Sequence, residues 1–412
     1  MIITIVSPYF PYPKRGQFFG TERYTENLAI NLSKIGNDVK IITSFWNGGK
    51  KYDNYKGIQI LRVQDSRNLF GYPGTFFFFH FITFGLNLFR KKVYNFYKDS
   101  DVLILNLSIP FSRFFKIKKI PIISIFHHYI SQFSDISLSI SIDKSNRMKN
   151  FIKSIIKEIR NLLNIFHLSS LYYLENQQFK KHKHIITGSI ASKKDLMRYY
   201  RVDGKNIKII PYGVETDKFN PSNYSKVIRK KYGNNILLYS GIMIKRKQIP
   251  VLLEAMIYVI KKIPDVHLIL TGIGIFLNKH KNLSNSLGIQ NYTTFLGFVE
   301  DNELSKYYAS SDIFVFPSEK EGFGQVLLEA MASGIPVICA NIPPMSNIIK
   351  NGGLTFKLND SKDLSNKIIE LLNNRDQLAK LRQNGLKIVK DYSLKHIACT
   401  YVECIKEIKN LT

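Results

Sequence analysis

Short apolar runs alternate with longer amphipathic stretches along the whole chain, and the runs fall into two series. The first is Ile2–Val6, Val39–Thr43, Ile58–Val63, Val102–Leu107, Ile122–Phe126, His184–Thr187 and Ile207–Ile210. The second is Ile236–Tyr239, Val266–Thr271, Thr293–Gly297, Ile313–Val315, Val337–Cys339 and Gly353–Phe356. Runs this short and this apolar suit strands buried on both faces. Between them lie helical patterns such as Glu22–Lys34, Val251–Lys262, Gln325–Ser333 and Asp363–Leu372. Strands alternating with helices predict parallel sheets covered on both sides, and two series predict two Rossmann-like doubly wound α/β domains. A length of 412 residues accommodates them. The turn signals Pro211-Tyr212-Gly213 and Asn220-Pro221 place the boundary after the first series. The expected layout is therefore 1–215, 216–390 and a C-terminal helical segment, 391–412, whose candidate packing partner is the first domain. Residues 131–180 read as mostly helical, basic connecting structure.

The net charge of +28 narrows the partners. Basic clusters occur at Arg90-Lys91-Lys92, Lys116–Lys119, Lys180–Lys183, Arg229–Lys231 and Lys245–Lys247. Such a field fits nucleic acid, an anionic membrane surface or phosphorylated small molecules, or it simply solvates a Lys- and Ile-rich surface. The charge is spread along the chain and no nucleic-acid motif accompanies it, so no nucleic-acid partner is expected. Cys339, Cys399 and Cys404 form neither a CxxC pair nor an even framework, which argues against zinc and disulfides and for a reducing cytoplasm. The N-terminal residues lack the basic region of a signal peptide and read as a buried strand. Tyr72 to Phe89 is aromatic-rich, but His80, Asn87 and Pro73-Gly74 interrupt it, and a span needs ~20 predominantly apolar residues. With Arg90-Lys91-Lys92 directly after it, the segment fits an interfacial or core helix and peripheral binding to an anionic membrane.

The strongest chemical signal begins where the run Ile313-Phe314-Val315 is stopped by Pro317-Ser318. Glu319-Lys320-Glu321-Gly322-Phe323-Gly324 follows, and a helix then starts near Gln325. Glycines before a helix N-terminus let backbone N–H groups approach an anion, which the helix dipole also favours. Glu329 lies in the otherwise apolar helix and needs a hydrogen-bonding partner if it is buried; otherwise it is an exposed or lysine-paired side chain. Eight helical residues would separate Glu321 and Glu329 by ~12 Å. The loop makes this an upper guide, but it is long for the ~5 Å carboxylate pair of a retaining hydrolase. It suits two ends of one extended ligand.

Glu321 to Pro336 resembles the glutamate-x7-glutamate region of the retaining glycosyltransferase family 4, whose fold is GT-B, two Rossmann-like domains facing a central cleft. The likeness covers nearly the whole chain. Gly20-Thr21-Glu22-Arg23-Tyr24 resembles the family's first loop and helix, Ile210-Pro211-Tyr212-Gly213-Val214-Glu215 its hinge, and Leu296-Gly297-Phe298-Val299 the loop that meets the nucleobase. The resemblance implies a hexosyl transfer with retention from a nucleotide sugar, UDP- or GDP-linked, to an acceptor hydroxyl on a glycan or lipid-linked molecule, with no metal or other cofactor. It implies that Glu321 contacts the donor sugar, Glu329 the ribose, and Gly322, Phe323 and Gly324 the sugar and phosphate. Lys247 is implied as the diphosphate lysine, Gly20 as a phosphate-loop glycine, Phe298 and Val299 as base contacts, and His127, after Ile122–Phe126, as a histidine reaching the sugar. His128 is the weaker match for that last role. Two departures stand out. Ile242 occupies the place of a usual arginine, leaving Lys245 or Arg246 as replacement cations, and Phe19 precedes Gly20 where a second glycine is common. They leave a weakened or silent enzyme open. The transferase reading also competes with a GT-B phosphorylase or nucleotide-sugar epimerase, which shares the fold, and with a basic nucleic-acid-binding protein.

Remaining patterns are weak. Asp99-Ser100-Asp101 resembles a metal-binding DxD but precedes its strand, as a strand-opening turn does. Gly272-Ile273-Gly274 is not a full GxGxxG and suggests no nicotinamide cofactor. No P-loop, HExxH or GxSxG pattern occurs.

Overall fold

The computed structural model describes residues 1–8, 10, 20–44, 50–63, 88, 90–106, 120–127, 172–173 and 175–410. Phe19, His128 and residues 72–87, 116–119 and 131–171 therefore lie outside the described residues. The chain forms two compact units, Met1–Ile210 with Ala398–Thr412, and Pro211–Ile397.

The first unit holds an eight-stranded sheet in the order β3-β4-β2-β1-β5-β6-β7-β8. Its strands are β1 (Ile2–Val6), β2 (Asp38–Ser44), β3 (Tyr52–Tyr55), β4 (Ile58–Val63), β5 (Val102–Asn106), β6 (Ile122–Phe126), β7 (His184–Thr187) and β8 (Ile207–Ile209). All neighbours are parallel except β3 and β4. Ile5 pairs with Ile41 on one side and Ile104 on the other, so its side chain is fully buried. The edge strand β3 was not expected. Tyr-Asp-Asn-Tyr alternates exposed and half-buried positions, with no apolar run to reveal it. It is held by Arg62 on β4, whose buried guanidinium pairs with Asp53 at 2.8 Å.

The last helix, Leu394–Asn410, contributes Ala398 onward to this first unit. Tyr401 and Ile405 are fully buried, and the Tyr401 hydroxyl hydrogen-bonds that of Tyr24. The Asp99-Ser100-Asp101 stretch closes the start of β5. Asp101 Oδ2 accepts the Ile2 N–H at 2.8 Å, and Ser100 shares a 2.7 Å hydrogen bond with Thr4.

The second unit has a six-stranded sheet, β11-β10-β9-β12-β13-β14. It comprises β9 (Asn235–Ser240), β10 (Val266–Thr271), β11 (Thr293–Gly297), β12 (Ile313–Phe316), β13 (Val337–Ala340) and β14 (Gly353–Phe356), all parallel. Every residue of β9 and β12 is buried, as strands covered on both faces must be, and the run Ile236–Tyr239 within β9 is apolar throughout. The order reverses at β9, which lies between β10 and β12, and this is the crevice where open α/β sheets bind ligands.

The units divide at Ile210/Pro211, not after 215. The Pro211–Glu215 stretch is anchored in the second unit. Val214 N–H donates to the Tyr392 carbonyl at 2.8 Å, the Tyr212 ring lies 4.8 Å from that of Phe323, and Gly213 sits so close to Leu394 that a Cβ there would come within 2.7 Å. At the other end the second unit runs to Ile397, past the expected 390.

Candidate functional site

The loops leaving β9 and β12 meet at the reversal point of the second sheet. After β9 the chain turns through Gly241 to a short 3-10 segment, Lys245–Lys247. Gln248 then takes a left-handed conformation (φ 50°), and the helix Ile249–Lys262 begins. After β12 comes Ser318, fully buried, then the Glu319–Gly324 loop and the helix Gln325–Ala332. The backbone stitches the two loops together: Glu319 N–H donates to the Arg246 carbonyl at 2.9 Å, and the Arg246 guanidinium donates to the Lys320 carbonyl at 2.7 Å. Gly324, at φ 99°, supplies the left-handed residue that opens the helix.

Three donors converge on a single oxygen of Glu321. Its Oε1 receives Lys247 Nζ at 2.6 Å, Arg246 at 2.9 Å and the Ser318 hydroxyl at 2.6 Å. Oε2 makes no hydrogen bond among the described residues. The side chains of Glu321 and Lys247 are 10% and 8% exposed, so the pair works in a poorly screened setting. Burial pushes the Glu321 carboxyl up, but the Lys247 and Arg246 charges, with the Lys247 and Ser318 hydrogen bonds, outweigh it and hold it below its ordinary value. Burial pulls Lys247 down, the Glu321 charge opposes this, and Arg246 adds repulsion, leaving it below an ordinary lysine. The acid thus stays ionised beside two cations, and the trio carries a net positive charge. Lys247 Nζ also lies 4.6 Å from the centre of the Phe316 ring, which fixes it from below the loop.

Glu329 is buried at 3% exposure, so it is not an exposed side chain and needs a partner. Its Oε2 accepts the Tyr308 hydroxyl at 3.1 Å. Tyr308 belongs to the helix Asp301–Ala309, which follows the loop carrying Phe298 and Val299. Phe298 is 45% exposed, whereas Val299 packs against the core. The Phe323 ring is buried against those of Tyr212 and Tyr392. Gly322 lies in the same loop, between Glu321 and Phe323.

Ile242 is 42% exposed on the β9 loop. Arg246 stands beside Lys247 on the Glu321 carboxylate, whereas Lys245 is exposed and makes no such contact. Gly272 and Gly274 serve packing: a Cβ at either would come within 2.0 Å of the Gly241 carbonyl or 2.3 Å of the Met243 carbonyl. They let the β10 loop lie directly against the β9 loop.

In the first unit His127 follows β6 and is 4% exposed. Its Nε2 is 2.5 Å from Asn106 Oδ1 at the end of β5, and its ring meets Tyr24 edge-on at 4.9 Å. Asn106 Nδ2 in turn donates to Thr25, so the histidine ring is held by a buried polar chain. Gly20 heads the helix Gly20–Lys34 in open space, with nothing within 4 Å of where a Cβ would stand. Sequence reasoning missed Ser318, Tyr308 and Asn106; the partners of Tyr308 and Asn106 lie 21 residues away, and that of Ser318 three residues away across the loop. Pro-Ser directly after the β12 run was the available signal for Ser318. Among the described residues no group of three His, Cys, Asp or Glu could hold a metal ion.

Comparison with known proteins places this arrangement. Residues 222–388 match the family model of glycosyl transferases group 1, and residues 19–218 that of Glycosyltransferase Family 4. The sulfoquinovosyl transferase SQD2 of Arabidopsis thaliana is 30% identical over 198 residues, 46% of this chain and 37% of that protein. The alpha-monoglucosyldiacylglycerol synthase of Streptococcus pneumoniae is 31% identical over 187 residues, 43% of this chain and 42% of that protein. The chain thus spans less than half the length of these curated relatives. The crystal structure of Anabaena HepE in complex with UDP and glucose superposes with a TM-score of 0.70 at 18% identity, covering 99% of this chain and all of that one. The two family models adjoin and together run from residue 19 to residue 388, and the chain belongs to the glycosyltransferase family 4 of group 1 glycosyl transferases, with their GT-B fold.

Proposed function

We propose that the chain is a retaining hexosyltransferase that draws on a UDP- or GDP-linked sugar and glycosylates a hydroxyl of a glycan or lipid-linked acceptor. The observation that carries this reading is the Lys247–Arg246–Glu321 cluster at the reversal point of the second sheet, beside a helix N-terminus. Departure of a nucleoside diphosphate concentrates negative charge on its phosphates. Two cations held in place before the reaction, one of them 8% exposed, stabilise that charge without reorganising. We assign Lys247 and Arg246 to the diphosphate, with Arg246 in the role that Ile242 cannot fill, and the backbone of Gly322, Phe323 and Gly324 to phosphate and sugar. Glu321 offers its free Oε2 to the sugar. Glu329, oriented by Tyr308, takes the ribose hydroxyls, and Phe298 with Val299 takes the base. In the first unit Gly20 is assigned to phosphate and His127 to the sugar.

The donor class draws support from HepE, whose structure holds UDP, and the acceptor class from a relative named for making a glucosylated diacylglycerol. None of the assigned groups needs a metal, so a chelator is expected to leave activity unchanged. No helix among the described residues is long and apolar enough to cross a membrane. With a charge of +28, peripheral binding to an anionic membrane at its cytoplasmic face is the fitting mode, and co-sedimentation with anionic vesicles at low salt tests it.

A thermal-shift panel of UDP-, GDP- and ADP-sugars on wild type and Glu329→Ala tests the donor reading. One nucleotide class is expected to stabilise wild type, and the variant much less. Equal stabilisation of both proteins would remove Glu329 from the ribose. Retention is read from the anomeric proton of the product, and an inverted centre would overturn it.

A further inference from the structure

At the opposite end of β12 from Glu321 lies a second charged cluster that the donor reading does not use. Asp312, directly before β12, is 4% exposed and is ringed by three arginines. Arg229 grips it at 2.5 Å and 3.4 Å, while Arg382 and Arg375 approach Oδ1 at 3.7 Å and 3.9 Å, beyond hydrogen-bonding distance. Asp312 Oδ2 is already engaged by Arg229 and by the Ile236 N–H at 2.8 Å. One carboxylate therefore faces three guanidinium groups, and the cluster carries two uncompensated positive charges.

Arg229 is satisfied, since it also donates to the carbonyls of Ser310 and Asn234 at 3.2 Å and 3.0 Å. The other two are not. Arg382 makes no hydrogen bond among the described residues, and its Nε is buried without a partner. Arg375, 59% exposed, spends one donor on Asn235 at 3.3 Å, and Asn235 is held by Asp265 at 2.8 Å. The Arg382 side chain is 37% exposed, so its outer donors can meet an anion from solvent while its buried Nε has no partner. Burial above all, with smaller contributions from the Arg229 and Arg375 charges, pulls the Arg382 guanidinium below its ordinary value against the opposing charge of Asp312.

We propose that Arg375 and Arg382, braced by Arg229 and Asp312, form a binding site for a phosphate group, separate from the donor site. A phosphate monoester carries about two negative charges and three acceptor oxygens, which matches the two surplus charges and the unspent fork-shaped donors. The site opens to solvent at Arg375, so the phosphate can belong to a soluble compound or to a lipid headgroup. This inference does not depend on the nucleotide-sugar reading.

The test is a thermal-shift titration with inorganic phosphate at constant ionic strength, on wild type, Lys247→Ala, Arg375→Gln/Arg382→Gln and the surface charge reversal Arg375→Glu. Wild type and Lys247→Ala are expected to gain stability with phosphate. The double variant is expected to lose that response, and Arg375→Glu to weaken the apparent affinity at least about tenfold. The source is read by co-sedimentation with phosphatidylcholine vesicles with and without phosphatidic acid. Selective retention of wild type over the double variant identifies a lipid headgroup; a phosphate response without it identifies a soluble phosphate. If both arginine variants respond to phosphate and vesicles as wild type does, or if wild type responds to phosphate no more than to chloride, the site does not exist.

Discussion

Glu321 accepts three hydrogen bonds on one oxygen, two of them from cations, and this sets how it responds to pH. Its carboxyl titrates below the ordinary value of 4.5 when folded and near that value when unfolded. As pH falls, the unfolded chain takes up this proton first. The stabilisation is complete above about 4.5 and is lost as pH drops through the lower folded value. Glu321→Gln removes the charge, so wild type is expected to exceed this variant in Tm near neutral pH, with the gap narrowing in acid below 4.5. Parallel Tm–pH profiles for the two proteins would show that the Lys247 and Arg246 contacts do not hold the carboxylate.

At the scale of elements, a hydrogen bond from Tyr308 to Glu329 links the helix Asp301–Ala309 to the helix Gln325–Ala332. Tyr308→Phe keeps the buried ring and deletes the hydroxyl that donates to Glu329. A loss of about 1–2 kcal/mol of stability is expected in urea unfolding, with unchanged m-value. Nucleotide affinity should fall in the same variant, because Glu329 loses the hydrogen bond that orients its Oε2. A variant as stable and as tight-binding as wild type would show that Tyr308 does not orient Glu329.

The same contact shows what the sequence could and could not reveal. The runs Ile313–Val315 and Ile236–Tyr239 announced their strands because a strand buried on both faces must be apolar at every position. Glycines before Gln325 and an acid inside an apolar helix announced the candidate site for equally local reasons. Tyr308, Ser318 and Asn106 were silent: a tyrosine, serine or asparagine is ordinary at any position, and its role appears only when the fold brings a partner from 21, 3 or 21 residues away. Strand β3 was silent for the opposite reason, since an edge strand with one solvated face carries too few apolar residues to stand out. The hinge motif was legible, but its allegiance was not. Only the contacts of Tyr212, Gly213 and Val214 assign it to the second unit.

For the whole molecule, the last helix is the consequential element, because its residues from Ala398 onward complete the first unit's core. Tyr401 is fully buried against Tyr24, whose ring also abuts His127. Tyr401→Ala leaves a large cavity and deletes the hydrogen bond to Tyr24, and is expected to cost about 3–5 kcal/mol. Differential scanning calorimetry should show the loss, and a Tm unchanged within a degree would mean the helix adds little to that core.

The central claim is that Lys247 and Glu329 mark the two ends of one nucleoside-diphosphate site. Isothermal titration calorimetry with UDP and GDP on wild type, Lys247→Ala and Glu329→Ala tests it most directly. One of the two nucleotides is expected to bind wild type at one site per chain, and each substitution to weaken it by about tenfold or more, as loss of a charge-assisted contact does. Three proteins that bind the same nucleotide with equal affinity, or a wild type that binds neither, would contradict the account.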